Sequence, residues 1–340
     1  MYKDKPLLHK RQKQYVSRSL RTVSLDVTSK CNMNCSKCYA ENFINTKDIE
    51  LEILKKSIDE CYSLGVFHYV LQGGEAITKP DRLEAILKMI SVKDTFINVV
   101  TNGWAMDRDK IRWLKSLGVD KITVSLDSGI EEEHDSDRKS GSYVNVIKAI
   151  DNVMREGLLV AISIVITRNS VYSDGFKKAY ELVKNKQIRM DVQIAEPVGK
   201  WDGKKEHLIT PEDGKYIKQL HINSPVLPNG QKMINRDIYI GKSDHCPAGT
   251  EFLSISSDGN LLPCIFLQFS LGNICNKSIC QMRNDLLKSD WFNGKQPVCI
   301  AGEDLVFIDK FIMPYVGRKK PLNAYKIFNL KKGQKLHAEI

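Results

Sequence analysis

No apolar run in the 340-residue chain reaches the ~18 residues that suggest a membrane span, so no membrane partner is expected. The N-terminus, MYKDKPLLHKRQKQYVSR, is basic but lacks the apolar segment and small-residue cleavage site of a secretory signal, and a cytoplasmic location is the expectation. There is no basic strip interleaved with aromatics of the kind a single-strand nucleic-acid binder needs. The net charge of +10 concentrates instead at Lys10 to Arg21 and at Arg318 to Lys335, which reads as solvated basic surface with nucleic acid an unexpected partner. A G-x-G-x-x-G opening is absent, which argues against a nucleotide-binding doubly wound sheet. Low-complexity tracts and internal repeats beyond a β/α unit are absent too.

Cysteine is plentiful by contrast, with nine residues. In a chain of this length and setting, such usage argues against a disulfide scaffold and for metal or redox chemistry. Cys31, Cys35 and Cys38 crowd into KCNMNCSKCYA, Cys61 stands alone, and Cys246, Cys264, Cys275, Cys280 and Cys299 share one C-terminal stretch. Two separated groups suggest two separate sites. Cys61 lies on the apolar stripe of a predicted helix and reads as core.

Alternation and helical stripes give a regular order. TVSLDVT (Thr22 to Thr28) is a strand running into the cysteine loop, and Asp48 to Leu64 a helix closed by Gly65. Strands VFHYVLQ, FINVVTN, VDKITVSLD, LVAISIVIT and RMDVQIAEP follow, separated by helices from Pro80, Asp107, Tyr143 and Ser173. Strands alternating with helices build right-handed parallel β/α units, here a partial (β/α)6 TIM-like barrel of the α/β class. Chemistry in such a barrel collects past the strand ends. The cysteine loop, QGGE, TNG, SLD and AEP all lie there. From Thr210 the pattern turns irregular. The expected domains are a basic arm (1–21), a core (22–209), a small cluster-binding domain of β-hairpin plus helix (210–315) and a basic tail (316–340).

Thiolates clustered on a loop bind soft metal. A structural zinc wants four ligands, and this loop offers three cysteines with no histidine nearby. Three cysteines on a four-iron cluster leave one iron open to a substrate or cofactor. A share in a zinc site, or three incidental cysteines, are the alternatives. C-x3-C-x2-C after a first strand, with GGE after the second, resembles the radical S-adenosylmethionine superfamily over roughly Thr22 to Ala195. The resemblance implies a 4Fe–4S cluster on Cys31, Cys35 and Cys38, with S-adenosylmethionine chelating the open iron. Reductive cleavage would give a 5′-deoxyadenosyl radical that removes a substrate hydrogen, with a flavodoxin- or ferredoxin-type electron donor. By position, Gly73, Gly74 and Glu75 would meet the methionine amino group. Ser125 and Asp127 would contact ribose and substrate, and Arg138 the cofactor carboxylate. The family's aromatic residue before the third cysteine is here Lys37, with Tyr39 beyond Cys38, which puts adenine stacking in doubt.

CPAGTEFLSISSDGNLLPC places Cys246 and Cys264 about a hairpin whose turn is SDG. With LGNI behind it, the segment resembles the SPASM/twitch extension of these enzymes. The dense C-x2-C-x5-C-x3-C run of the full extension is missing, so one auxiliary 4Fe–4S cluster is expected. Cys246, Cys264 and Cys299 would be ligands, with Cys280 as fourth; Cys275, an acid such as Asp304, or nothing are alternatives. The extension implies an oxidative modification, dehydrogenation or crosslinking, of a small natural-product intermediate or a peptide. A peptide maturase and a sugar or aminocyclitol dehydrogenase remain open. The short stretch before the first strand is too small for a winged-helix leader-binding module, which lowers the peptide reading. Glu196, Lys200 and Trp201 are expected at the substrate. A non-enzymatic iron–sulfur or zinc protein is the remote alternative.

Overall fold

The computed structural model describes residues 5–16, 18–44, 46–236 and 245–330. The first four residues of the expected arm and the expected tail from 331 onward lie outside the described residues.

Six parallel strands carry the chain's middle: β1 (Thr22–Thr28), β2 (His68–Gly73), β3 (Phe96–Thr101), β4 (Lys121–Ser125), β5 (Leu159–Ile166) and β6 (Arg189–Ile194). Each pairs with the next in order. After α1 (Pro6–Gln14), the crossovers are α2 (Leu51–Ser63), α3 (Pro80–Met89), α4 (Arg108–Ser116), α5 (Glu131–Asp137), α6 (Ser142–Arg155) and α7 (Asp174–Lys186). Asp107 caps α4 and Ser173 caps α7, each accepting from a backbone N–H of the first turn. The sheet stays open. Beyond β6 lies the short β7 (Ile234–Asn235), and beyond β1 the hairpin of β8 (Phe252–Ile255) and β9 (Leu261–Leu262), giving the order 7-6-5-4-3-2-1-8-9. This is the expected partial barrel. The hairpin turn falls at Asp258–Gly259, with Gly259 at φ +86°.

The period of two along the strands sorts residues into two environments. Val23, Leu25, Val27, Tyr69, Leu71, Ile97, Val99, Ile122, Val124, Ile162 and Ile164 face the helices and are buried. The alternate positions line the concave side and are largely polar: Thr22, His68, Gln72, Asn98, Lys121, Thr123, Ser125, Ser163, Arg189, Asp191 and Gln193. They bond across strands, as in Thr123 Oγ1 to Asn98 Oδ1 (2.9 Å), Ser24 Oγ to Ser254 Oγ (2.8 Å) and Lys121 Nζ to Asp191 Oδ2 (3.1 Å). A barrel interior filled by branched apolar residues would be a plug. This one is a polar lumen.

Three helices were not visible in the apolar pattern. The basic arm is in part α1, docked through the fully buried Leu8, with Lys5 paired to Asp120 (2.6 Å) and Arg11 to Asp94 (3.1 Å). These two arm cations are therefore partnered, not simply solvated. Helix α5 (EEEHDSD) buries only His134, and α8 (Pro211–Asn223) buries only Asp213 and Ile217, so neither carries a wide apolar stripe. Helix α8 starts on a capping box, Thr210 with Asp213. No helix among the described residues is long and apolar enough to cross a membrane.

Two lumen carboxylates generate predictions. Burial alone would raise the Asp191 pKa, but Arg189 and Lys121 outweigh it and hold the carboxyl well below the usual range. Its contribution is present above the unfolded carboxylate pKa and is lost only as pH falls through the depressed folded value. Asp191→Asn leaves two cations facing each other without their carboxylate. The expected loss is about 3–5 kcal/mol at pH 7, measured as a lower denaturant midpoint. Asp26 is the opposite case. Burial, with repulsion from Asp258, pushes its carboxyl up to about 7 against one hydrogen bond from Gln72 (3.2 Å). The folded state then binds the extra proton, so this group lowers stability as pH rises from about 4 through about 7. Asp26→Asn is expected to abolish that component, seen as a higher midpoint than the parent at pH 8 and little difference at pH 4.

Candidate cluster and cofactor site

The cysteine loop leaves β1 without regular structure, and contacts from four other parts of the fold fasten it. Ser36 donates its N–H to the Asp137 carbonyl (2.8 Å) and its hydroxyl to the Asp137 carboxylate (2.9 Å). Lys37 bridges Asp137 (2.7 Å) and Asp127 (3.4 Å). Asn102, past β3, donates to Asn32 Oδ1 (2.7 Å), and the Lys200 N–H, past β6, donates to the Cys38 carbonyl (3.0 Å). The three thiols line one cavity. Burial raises all three, Cys38 up to about 11, with Cys31 and Cys35 adding to the effect on Cys38.

Gly73 and Gly74 serve the loop's stem. A Cβ on Gly74 would stand 2.3 Å from the Lys30 carbonyl oxygen, and one on Gly73 2.4 Å from that of Thr28. The Gly74 and Glu75 N–H groups donate to the Thr28 and Lys30 carbonyls (2.9 and 2.8 Å). The close backbone approach made possible by the glycines is therefore between β2's end and the cysteine loop. Both glycines also line the cavity. Glu75, 4% exposed, accepts from Thr101 Oγ1 (2.8 Å) and the Asn102 N–H (2.7 Å). Burial still raises its pKa. Thr101, Asn102 and Asn32 thus belong to the site. TNG was a visible strand-end cluster, but its partners were not.

Ser125 and Arg138 line the cavity, whereas Asp127 does not. Asp127 is a correction to the expected ribose or substrate contact: it lies behind Arg138, ion-paired to its Nε. Burial would raise the Asp127 pKa, and the charges of Arg138 and Lys37 override this and hold the carboxyl far below the usual range. Its backbone N–H donates to His134 Nδ1 (3.1 Å), which puts the His134 proton on Nε2, facing Ser142 Oγ (3.1 Å). Burial lowers His134 to about 4, so it stays neutral. The guanidinium reaches the cysteine loop, with Arg138 Nη1 4.0 Å from Cys35 Sγ. Lys37 points to acids and not into an adenine stack. Tyr39 lines the cavity with its ring edge-to-face on Phe266 (5.5 Å between centroids).

Cys246, Cys264 and Cys299 come together from three segments and line the same cavity. The Cys246 N–H donates to the Gln296 carbonyl (2.8 Å) and the Cys299 N–H to Glu303 Oε2 (2.9 Å). The Cys299 thiol hydrogen-bonds to the Cys246 sulfur, which lowers Cys246 and lifts Cys299 well above the ordinary value. Cys280 is not brought to this set. It sits on α9 (Ile279–Leu286), its N–H on Glu60 Oε1 (2.9 Å) and its sulfur accepting from Asn284 Nδ2 (3.5 Å). The amphipathic spacing of α9 turns it toward α2 instead of the hairpin. Cys275 is exposed, and the Asp304 carboxylate caps the turn at Phe307 (2.9 Å). Of the three residues expected at the substrate, only Glu196 lines the cavity. Lys200 contacts Asn34 of the cysteine loop, and Trp201 packs on His207 (4.4 Å).

The cavity holds about 320 Å3 and touches both thiol groups. Among the described residues, no three His, Cys, Asp or Glu side chains converge closely enough to hold a single metal ion. Each cysteine ligand of a four-iron cluster takes a different iron, so its donors surround a body and not a point. Two sets of three soft donors on one cavity wall therefore fit iron–sulfur clusters better than zinc.

The family model of the Radical SAM superfamily matches residues 25–183, and that of an iron-sulfur cluster-binding domain, SPASM, matches residues 246–300. The chain is 24% identical over 281 residues to the AdoMet-dependent heme synthase of Methanosarcina barkeri (strain Fusaro / DSM 804), covering 75% of this chain and 79% of that protein. It is 26% identical over 303 residues to the GTP 3′,8-cyclase of Helicobacter pylori (strain HPAG1), covering 82% and 91%. In fold it resembles Streptococcus suis SuiB, solved bound to its precursor peptide SuiA, with a TM-score of 0.60, 14% identity, and 85% and 70% of the two chains covered. A second SuiB structure holds S-adenosylmethionine (TM-score 0.58, 15% identity, 84% and 69% covered). The cavity, its two thiol sets and these matches agree: the chain is a radical S-adenosylmethionine enzyme with a C-terminal SPASM-type iron–sulfur domain, and 4Fe–4S clusters and S-adenosylmethionine are its cofactors.

Proposed function

We propose that Cys31, Cys35 and Cys38 ligate the cluster that binds S-adenosylmethionine, that Cys246, Cys264 and Cys299 ligate one auxiliary cluster, and that the enzyme oxidises a small polar substrate by dehydrogenation or crosslinking. The observation that carries this reading is that both thiol sets line one continuous cavity. When bound, the cofactors supply hydrogen-atom abstraction by a 5′-deoxyadenosyl radical and a sink for the electron the substrate then gives up. The chain's own residues do the positioning. Arg138, aimed by Asp127 and Lys37, offers a guanidinium fork to the carboxylate of S-adenosylmethionine. Glu75, held by Thr101 and Asn102, presents a buried carboxylate suited to the cofactor's ammonium. Met33, Tyr39, Ile44 and Phe266 give an apolar wall that keeps water from the reacting atoms.

Ser125, Thr123, Asn98, Ser163 and Gln193 offer hydroxyls and amides to a polar substrate reaching into the lumen. That lining favours a small natural-product intermediate, a sugar or aminocyclitol among them. A peptide substrate is the second reading, favoured by the fold's likeness to SuiB, which was solved with a precursor peptide. A reduced flavodoxin or ferredoxin is the electron donor in either case, and the cytoplasm the working compartment.

Reconstituted anaerobically, the protein is expected to take up about seven to eight irons, four per cluster, and when reduced to release 5′-deoxyadenosine from S-adenosylmethionine. A colourless zinc-bound preparation would refute the proposal. Cys35→Ala should abolish cofactor cleavage, while Cys264→Ala should cleave the cofactor without forming product. Equal loss of cleavage in both contradicts the division between the two sets. Gly74→Ala drives a methyl against the Lys30 carbonyl and displaces the loop's stem. The variant is expected to hold about half the parent's iron while keeping its far-ultraviolet circular dichroism. Full iron loading would show that the close approach does not position the loop.

A further inference from the structure

Three cysteines leave the auxiliary cluster one ligand short, and the cavity's carboxylates can be compared as candidates for the vacant place. Glu75, Asp191 and Glu196 line the cavity. Glu75 accepts from Thr101 and Asn102, and Asp191 is ion-paired with Lys121 and Arg189. Glu303 is also close to Cys299, but both its oxygens are held by Arg236 (3.2 and 2.9 Å), and one accepts the Cys299 N–H. Glu196 is different. It is 7% exposed, and among the described residues no side chain hydrogen-bonds or ion-pairs with its carboxyl. Arg236, the cation that acts on it, is engaged by Glu303.

The backbone explains why Glu196 stands beside Cys299. Glu196 follows β6, where the Ala195 N–H donates to Ile166 (2.8 Å). The turn after Cys299 packs directly onto this strand end: a Cβ on Gly302 would lie 2.9 Å from the Ala195 carbonyl oxygen and 2.7 Å from Ile194 Cδ1. Three N–H groups, of Gly302, Glu303 and Asp304, converge on the Cys299 carbonyl and set the turn. A buried carboxylate without a cation is costly, and a cluster iron would be the cation this pocket lacks.

We infer that the Glu196 carboxylate is the fourth protein ligand of the auxiliary cluster, binding the iron that Cys246, Cys264 and Cys299 leave open and releasing its proton to solvent as it does so. The inference rests on the reading that those three cysteines hold a cluster. It makes the auxiliary site an electron acceptor closed to direct substrate ligation.

The test uses the full chain with Cys31, Cys35 and Cys38 all changed to Ala, so that one cluster remains, reconstituted anaerobically, reduced by one electron with dithionite to its paramagnetic state and probed by electron–nuclear double resonance with 15N-imidazole. With Glu196 intact, about four irons and no 15N coupling are expected. Adding Glu196→Gln should keep the irons and produce a 15N coupling, because imidazole enters the vacated corner. Adding Glu196→Cys should keep the irons and remove the coupling again, and this variant also decides the matter should the Gln variant fail to fold. A 15N coupling of equal size with Glu196 intact, or one that persists in Glu196→Cys, overturns the inference. Absence of any cluster in the triple-Ala parent overturns the underlying cluster reading and the inference with it.

Discussion

Strand β1 is the constraint on which the arrangement of the two thiol sets depends. On one side it pairs with β2 from Thr22↔His68 to Thr28↔Gly73, and on the other with β8 from Thr22↔Phe252 to Leu25↔Ile255. The cysteine loop leaves its C-terminal end, and the auxiliary hairpin lies along its other edge. Backbone hydrogen bonds of β1 therefore set the spacing between the cysteine loop and the auxiliary hairpin. The entry to β1 is locked as well: Arg21 is buried against Glu251 (2.9 Å), and the Arg21 and Thr22 N–H groups both donate to the Glu251 carbonyl. A one-residue slip here would turn Thr22, Ser24 and Asp26 toward the helices and Val23 and Leu25 into the lumen. Register is thus specified by burial on both faces.

Electrostatics divides the lumen along its length. Near the N-terminal strand ends, Lys121 and Arg189 share Asp191, and His68 is kept neutral by burial and by those same cations. Near the C-terminal ends, Arg138 is balanced by Asp127, and Glu75 by neutral donors. Hydroxyls and amides fill the interval. Apart from the Glu196 carboxyl, these charges are engaged by the protein itself. A bound molecule therefore meets oriented dipoles along most of the wall, which are suited to fixing orientation.

The parts of the molecule legible in the sequence were those governed by short-range periodicity. β1 through β6 alternate so regularly that their bounds differ from expectation by three residues at most, and the hairpin about Asp258–Gly259 announced itself by its turn residues. The parts that were not legible depend on contacts between distant segments. Helix α1 is held by Lys5 to Asp120 and Arg11 to Asp94, pairings that a run of basic residues cannot reveal. Lys37 looked like a missing aromatic, and its role emerges only when α5 delivers Asp137 and β4 leads to Asp127. Asp127 itself was placed at the right strand end but one layer too far forward. Lys200 and Trp201 follow the same rule, since loop composition does not say which side chain turns inward.

The position of the open wall bears on how the two chemistries are kept apart. Arg138 approaches Cys35 from α5's end, while Glu196 approaches Cys299 from β6's end, and Tyr39 stands between, affected electrostatically by Cys38, Cys264 and Cys31 alike. The ring is packed edge-to-face on Phe266, and its backbone carbonyl is held by Gln268 Nε2 (2.8 Å), which Asn42 in turn holds (2.9 Å). The tyrosine is thus held by both its ring and its backbone on the cavity wall that the two donor sets share. Burial raises the Tyr39 hydroxyl well above its ordinary pKa, so it stays neutral beside both thiol groups. A neutral ring adds no charge that would repel thiolates of either set. A carboxylate in its place would. The packing of one tyrosine thus keeps a neutral aromatic wall beside both thiol sets.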